Sequence, residues 1–312
     1  RSIRADGGEA DSNINPELPG YSTNEKLCWP GTESDTINEE YPICIKQPSD
    51  EVPVFGVGGQ IFALGYYQAA NLTWVAQQRN WSPQWFLRID RLLAFMQKRG
   101  NLSRFALNIG ANDGKTVGPD PTFQVFNWLK FSGVAVEPDP IAFGKLLRNL
   151  YWERVQKVNT GMTPGQVPEF CEKYKVPAYP DIIKIDIDSF DCDLLEAFVR
   201  ARQFKLIHTE INYEIPVPLM FARKWSPQIK FCMRPFAFYS CSFSYQVHML
   251  SKYGYTLLQL WGYDATFIHE SVKHIFPDHR YIDPVQYFYS TPKINSGIEG
   301  RTTGHLKHPK RK

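Results

Sequence analysis

From Phe105 onward, short apolar runs alternate with segments of helical periodicity, and this alternation most limits the folds open to the chain. Runs that are apolar throughout, rather than at every second residue, belong to strands covered on both faces, and strands separated by helices pair in parallel. The pattern predicts strands at 105–109, 133–137, 155–159, 181–187 and 205–211. Helices fall between them, near 121–131, 140–150, 164–174 and 189–202, with Pro140 at a first turn, where a helix tolerates it. A helix near 242–252 then leads into apolar runs at 255–260 and 264–269, separated only by Trp261-Gly262-Tyr263. So short a connection makes these two runs antiparallel neighbours. The expected fold is α/β: a Rossmann-like, doubly wound, mostly parallel sheet with a C-terminal antiparallel hairpin.

The rest of the chain is arranged around that core. Residues 1–58 are rich in Pro, Gly, Ser, Asn, Asp and Glu without helical or strand periodicity, the composition of an extended, partly disordered lead. Residues 59–100 read as a helical lead-in: one helix over 60–79, then a second with Ser82 as cap, Pro83 in the first turn and Gly100 as the stop. On the second helix Trp85, Phe86, Ile89, Leu92, Leu93 and Met96 share one face, which reads as a packing stripe. The main domain is expected over 101–275. Residues 276–312 form a C-terminal extension with a basic, mobile tail, Lys307 to Lys312.

Composition narrows the partners. Lys and Arg total 35 against 32 acids, and a net charge of +3 gives no long-range field pointing to nucleic acid. No apolar run approaches the roughly 18 to 20 residues that cross a bilayer, so stable membrane insertion of this chain is not expected. The first residue is Arg1, which leaves room for a targeting or anchoring segment before it. Six cysteines include no C-x-x-C pair, which argues against a structural zinc site. Cys28 and Cys44 could pair as a disulfide in the polar lead, whereas Cys171 and Cys192 sit in apolar-patterned segments that suit buried free thiols. Asn71-Leu72-Thr73, Asn80-Trp81-Ser82 and Asn101-Leu102-Ser103 have the form of glycosylation acceptors. Together these features lean toward a secretory-pathway lumen, with the cytoplasm as the alternative.

Four constellations carry chemistry, all at the carboxyl ends of predicted strands, where open α/β sheets bind ligands. After the first strand comes Asn108-Ile109-Gly110-Ala111-Asn112-Asp113-Gly114. Its glycines let backbone approach a ligand closely, but the spacing is not the G-x-G-x-x-G of a pyrophosphate site. Asn112 and Asp113 offer polar groups suited to an amino-acid arm, whose ammonium needs acceptors and whose carboxylate needs donors. Glu137, ending Gly133-Val134-Ala135-Val136-Glu137-Pro138, stands where an acid accepts hydrogen bonds from ribose hydroxyls. The fourth strand ends in Lys184-Ile185-Asp186-Ile187-Asp188-Ser189-Phe190-Asp191, with Asp188 and Ser189 alternatively capping the following helix. The fifth runs into His208-Thr209-Glu210-Ile211-Asn212, where alternation places His208 and Glu210 on one face. Asp186, Glu210 and His208 are the candidate general bases for deprotonating a hydroxyl, His208 having a competing structural role.

In these motifs, over roughly Asn101 to Glu270, the chain resembles the FkbM-type methyltransferases. The resemblance rests on Asn108 to Gly114, Val136-Glu137-Pro138, Lys184 to Asp188 and Glu210-Ile211-Asn212 in order. It implies a class I fold, S-adenosyl-L-methionine as the methyl donor, and O-methylation of a hydroxyl on a sugar, glycan or other small natural product. Asn108, Gly110, Ala111, Asn112, Asp113, Gly114 and Glu137 would then hold the cofactor, with Asp186 beside the transferred methyl and no metal required. One departure concerns the acceptor side: many relatives place an acid and then glycine after the fourth strand, where this chain has Asp188-Ser189-Phe190-Asp191.

Two other readings compete. Asp186-Ile187-Asp188 has the D-x-D form with which metal-dependent glycosyltransferases hold a divalent ion on a sugar nucleotide, although that reading leaves the glycine loop and Glu137 unexplained. A metal cluster of Asp186, Asp188, Asp191 and Asp193 is disfavoured, since strand and helix geometry sends these acids to different faces. Alternatively the fold could bind glycans or a partner without catalysis, using the aromatic-rich segment from Trp225 to Tyr245 as its contact surface.

Overall fold

The computed structural model describes residues 32–35, 43–46, 54–57, 60–66, 87–100, 102–115, 120–229, 239–276 and 288. The chain divides into two compact units, 1–51 and 52–312. In the first, β1 (Thr32–Asp35) and β2 (Ile43–Lys46) pair antiparallel. The composition of this segment predicted no strand. Four-residue strands such as Ile43-Cys44-Ile45-Lys46 are too short to register as periodicity against the polar residues around them.

In the second unit, β3 (Val54–Val57) and β4 (Gln60–Tyr66) form an antiparallel pair. The helix expected over 60–79 is therefore overturned at 60–66, and 67–79 lie outside the described residues. The cause is tertiary: β4 pairs with β10 (Leu219–Lys224) over six registered positions, from Leu219 opposite Tyr66 to Lys224 opposite Ile61. Ladder hydrogen bonds of that extent override the helix propensity of Ala63 and Leu64. β10 was itself hidden in the proline-rich stretch, yet Pro216, Pro218 and Pro227 bracket it without entering it.

Helix α1 (Ile89–Arg99) starts later than Ser82 and Pro83 suggested, since Arg88 at its N-cap is extended and makes no side-chain cap; 82–86 lie outside the described residues. The stop is as expected, with the Gly100 N–H donating to Met96 O. Ile89, Leu92, Leu93 and Met96 are buried, so the stripe does pack.

The main sheet is built from β5 (Phe105–Ile109), β6 (Ser132–Val136), β7 (Val155–Val158), β8 (Ile182–Ile185), β9 (Leu206–Glu210), β11 (Tyr255–Trp261) and β12 (Asp264–His269). Their order is β11-β12-β9-β8-β5-β6-β7. The five strands from β9 to β7 are parallel; β12 runs antiparallel to β9, and β11 to β12. This is the mostly parallel sheet with a closing antiparallel hairpin that the class I resemblance implied. The connecting helices are α2 (Phe123–Asn127), α3 (Pro140–Asn149), α4 (Val167–Lys173), α5 (Asp191–Ala201) and α6 (Phe243–Ser251). Asp139 caps α3, accepting from the Ala142 N–H, with Pro140 directly after it.

Strand alternation divides the core between the two faces of the sheet. Leu107, Ile109, Val134, Ile183, Ile185 and Ile207 pack with α4, α5 and α6. Ala106, Ala135, Ile182 and Leu206 pack with α1, α2 and α3. On the second face the registered neighbours Asn108, Lys184, His208, Thr266 and Gln259 make a polar row across five strands, and all five are buried. Buried polar groups persist only when paired, so such a row marks a place where the sheet does more than pack.

The cysteine reading is half corrected. Cys171 is a buried free thiol, as expected, but Cys192 forms a disulfide with Cys241. Two cysteines 49 residues apart give no local signal of pairing. Cys28, one half of the pairing suggested for the lead segment, lies outside the described residues, as do Asn71, Asn80 and Asn101. Among the described residues no helix is long and apolar enough to cross a membrane. Of the suggested contact surface, Tyr239, Phe243 and Tyr245 are buried and Trp225 packs against the core, while 230–238 lie outside the described residues.

Candidate functional site

A cavity of about 810 Å³ opens at the carboxyl edge of the parallel strands, within the range of roughly 300–1,000 Å³ usual for small-molecule sites. Its wall runs from Thr160-Gly161-Met162 past Glu137 and across Gly110-Ala111-Asn112 to Lys184 and Asp186. His208, Asp264 and the start of α1, Arg88 to Asp90, complete the far end.

The glycine loop owes its path to backbone geometry. The N–H groups of Gly110 and Ala111 both donate to Val136 O, at 3.0 and 2.9 Å, which fastens the loop to the neighbouring strand. Gly110 (φ +76°) lies so close to the next strand that an added Cβ would stand 1.8 Å from Asp186 O. Asn112 also has positive φ, which asparagine tolerates, and its N–H donates to Glu137 Oε2 at 2.7 Å. Glu137 Oε1 accepts from the Asp139 N–H at 2.8 Å. Both oxygens are thus anchored by backbone while each keeps a lone pair for a ligand, and the carboxylate lines the cavity.

Three loop residues singled out from the sequence do not line the cavity. Asn108 lies beneath it: its Nδ2 donates to Asp120 Oδ2 at 2.7 Å and to Thr122 Oγ1 at 2.8 Å, and Asp120 in turn lines the wall. Asp113 turns inward to accept from the Lys115 N–H. Gly114 faces α3, where an added Cβ would stand 2.5 Å from Leu146 Cδ1. Hence Gly114 permits packing, whereas Gly110, Ala111 and Asn112 meet the cavity.

At the acidic end, Asp186, Asp188 and Glu210 converge, each offering an oxygen such that all lie within 4.8 Å of one another. The expected separation of the four acids is thus corrected for Asp186 and Asp188, and it holds for the two on helix α5. Asp191 accepts from the N–H groups of Ile187 and Ser189, organising the loop, and Asp193 pairs with Lys224 at 2.8 Å. Helix α5 begins at Asp191 with Phe190 at its N-cap, so neither Asp188 nor Ser189 occupies the capping position. Burial, with Asp186, Asp188, Asp191 and Asp264 adding repulsion, pushes the Glu210 carboxyl up to about 9, so it carries a proton at neutral pH. His208 shares the sheet face of Lys184; its Nδ1 lies 3.1 Å from Thr266 Oγ1, and burial outweighs the pull of Asp264 to hold its pKa below the ordinary value.

The state of Glu210 has a measurable consequence. Below about pH 4.5 the carboxyl is protonated in folded and unfolded chains alike. Between there and about 9 the unfolded chain ionises it while the fold retains the proton, so rising pH favours unfolding. Glu210→Gln is therefore expected to raise the melting temperature at about pH 8.5 and to leave it nearly unchanged at about pH 4. Equal shifts at both pH values in thermal melts would exclude this origin.

Asp120, Lys184 and Asp264 are site residues to which the sequence reading gave no role. Lys184 carried a signal, being one cation inside an otherwise apolar strand. Asp120 and Asp264 carried none, because only the tertiary fold brings them to the cavity.

No protein-family model and no curated protein matches the chain. Among solved structures it is similar to the O-methyltransferase from Bacillus cereus in complex with SAH, with 18% identity, 63% of this chain and 88% of that one covered, and a TM-score of 0.35. It is also similar to an S-adenosylmethionine-dependent methyltransferase from Clostridium acetobutylicum (12% identity, 58% and 89% covered, TM-score 0.34). A third likeness is to the Methanococcus jannaschii fibrillarin pre-rRNA processing protein (12% identity, 70% and 98% covered, TM-score 0.34). Likenesses at these scores carry no argument about activity, and the fold stands on the strand order and register of the sheet itself.

Proposed function

We propose that this chain is an S-adenosylmethionine-dependent methyltransferase acting on a hydroxyl of a sugar, glycan or other small natural product. The observation that carries the reading is Glu137: a carboxylate fixed at the cavity wall by two backbone N–H groups, one of them from the glycine loop, with lone pairs left for ribose hydroxyls. Gly110, Ala111 and Asn112 form the adjoining cradle for the amino-acid arm. When bound, the cofactor supplies an electrophilic methyl group on a sulfonium.

The chain's own groups then position the acceptor and take its proton. Methyl transfer is an in-line displacement, so holding the acceptor oxygen in line supplies much of the acceleration. Of the three candidate bases, Glu210 is already protonated and suits hydrogen-bond donation to the acceptor instead. Asp186 is engaged by the Lys184 ammonium at 3.3 Å, so one of its oxygens is already occupied. His208, neutral and lining the cavity, is the group best suited to accept the proton. The Cys192–Cys241 disulfide supports a secretory-lumen setting, since such bonds persist in oxidising compartments.

Calorimetry with S-adenosylhomocysteine tests the cofactor assignment. The wild-type chain is expected to bind it, and Glu137→Ala to bind it roughly tenfold or more weakly through loss of a charge-assisted pair of hydrogen bonds. No heat with the wild-type chain would sink the proposal. The convergence of Asp186 and Asp188 with Glu210 favours one second reading, a glycosyltransferase holding a divalent ion there. A requirement for manganese and a sugar nucleotide, without methyl transfer from labelled S-adenosylmethionine, would establish that reading instead.

A further inference from the structure

We infer that Lys184 is a positioning residue that sets the glycine loop and Asp186 against each other; the inference rests on the cofactor reading above. A lysine in the middle of a parallel sheet is costly, because burial removes water from an ammonium that only matched acceptors can replace. Lys184 stands on β8 between Asn108 of β5 and His208 of β9, with its side chain 8% exposed. Its Nζ donates to Gly110 O at 2.7 Å and lies 3.3 Å from Asp186 Oδ2. Burial alone would lower its pKa, but Asp186, Asp120 and Asp264 together outweigh burial and hold it above the ordinary lysine value, so the charge is permanent.

The two partners of this ammonium belong to different parts of the site. Gly110 is the pivot of the loop that cradles the amino-acid arm, and Asp186 stands at the acidic, acceptor-facing end. No backbone hydrogen bond between neighbouring strands fixes a side-chain carboxylate, so Asp186, with a side chain 40% exposed, would sample several rotamers on its own. The Lys184 ammonium selects the rotamer that faces Nζ, and the same Nζ restrains the Gly110 carbonyl. Loop and carboxylate therefore hold a fixed separation, with the cavity lined by all three residues. A hydrophobic residue at 184 would pack into the sheet more cheaply, which leaves the tie between Gly110 and Asp186 as the reason for a lysine.

The test is S-adenosylhomocysteine affinity, by calorimetry, across a cycle of the wild-type chain, Lys184→Met, Asp186→Asn and the double variant, with melting temperatures alongside. Lys184→Met keeps the length and apolar stem while removing the charge, and is expected to weaken binding roughly tenfold or more. Asp186→Asn in that background is expected to add little, because the lysine acts through the carboxylate. Lys184→Arg, which restores a permanent cation and N–H donors, is expected to recover part of the affinity. Unchanged affinity in a folded Lys184→Met, or fully additive losses in the double variant, would overturn the inference. If Lys184→Met does not fold, Lys184→Arg decides: affinity within about threefold of wild type supports the tie, and no binding by a folded arginine variant overturns it. Absence of binding by the wild-type chain is a separate result and sinks the cofactor reading itself.

Discussion

Gly110→Ala is expected to weaken S-adenosylhomocysteine binding by roughly tenfold or more, about 1.4 kcal/mol or above, because the loop and the end of β8 must move apart. The new Cβ would fall 1.8 Å from Asp186 O and 2.8 Å from Asp186 C, both backbone atoms at the end of β8. Neither can rotate away, so loop and strand end must part. The positive φ of +76° adds strain of about 1–2 kcal/mol for any residue with a Cβ. The displaced parts are those the site depends on: the loop that hydrogen-bonds Glu137 through Asn112, and the carbonyl that accepts from Lys184. Gly144 provides the contrast. It lies within helix α3 with nothing inside 4 Å of an added Cβ, so Gly144→Ala is expected to stabilise the fold by about 0.5–1 kcal/mol and leave affinity unchanged. Calorimetry and thermal melts on the two variants separate a conformational requirement from a general intolerance of alanine. Equal affinity for both would mean that the approach of Gly110 to Asp186 is unimportant to the ligand.

Much of this site was legible in the sequence because parallel strands buried on both faces are written as unbroken apolar runs, and the residue that ends each run sits at the ligand edge. Glu137 and Asp186 were found on that logic. The assignment of roles within the glycine loop was less legible. Asn108 and Gly110 are two residues apart, yet one is buried under the wall and the other forms it, because the strand ends between them. Pairing between distant segments left no local trace either. β4 reads as a helix until β10 is placed beside it, and β10 reads as a loop because prolines surround it. Nor could strand alternation alone show that Asp188 and Glu210 meet. The turn after β8, with Asp188 at φ +52° and Asp191 binding two loop N–H groups, brings the acids together.

Reduction of the Cys192–Cys241 disulfide is expected to destabilise the larger unit by about 4 kcal/mol, from the chain entropy regained by a loop of this length. The cysteines are 49 residues apart, and at this size each kcal/mol corresponds to roughly 2–4 °C, so the melting temperature should fall by about 8–16 °C. The check is a thermal melt with and without reductant, with mass spectrometry showing that Cys192 and Cys241 have become labelled. An unchanged melt with both thiols labelled would show that the bond is dispensable to stability. Its position also predicts where the loosening is felt. The Asn212 N–H donates to Cys241 O at 2.8 Å and the Ser240 N–H to Ser189 O at 2.6 Å, so the segment around Cys241 bridges the loops that follow β8 and β9. Those loops carry Asp188 and lead from Glu210, whereas Glu137 is fastened from Asn112 and Asp139 on the other side of the cavity. Reduction should therefore disturb the acidic end of the cavity more than the end that holds Glu137. A protein reduced but still folded, at a temperature below its lowered melt, is accordingly expected to keep most of its affinity for S-adenosylhomocysteine while the stabilisation by Glu210→Gln at about pH 8.5 shrinks, because a loosened end admits water to Glu210 and lets the repelling acids move apart, which relaxes its raised pKa.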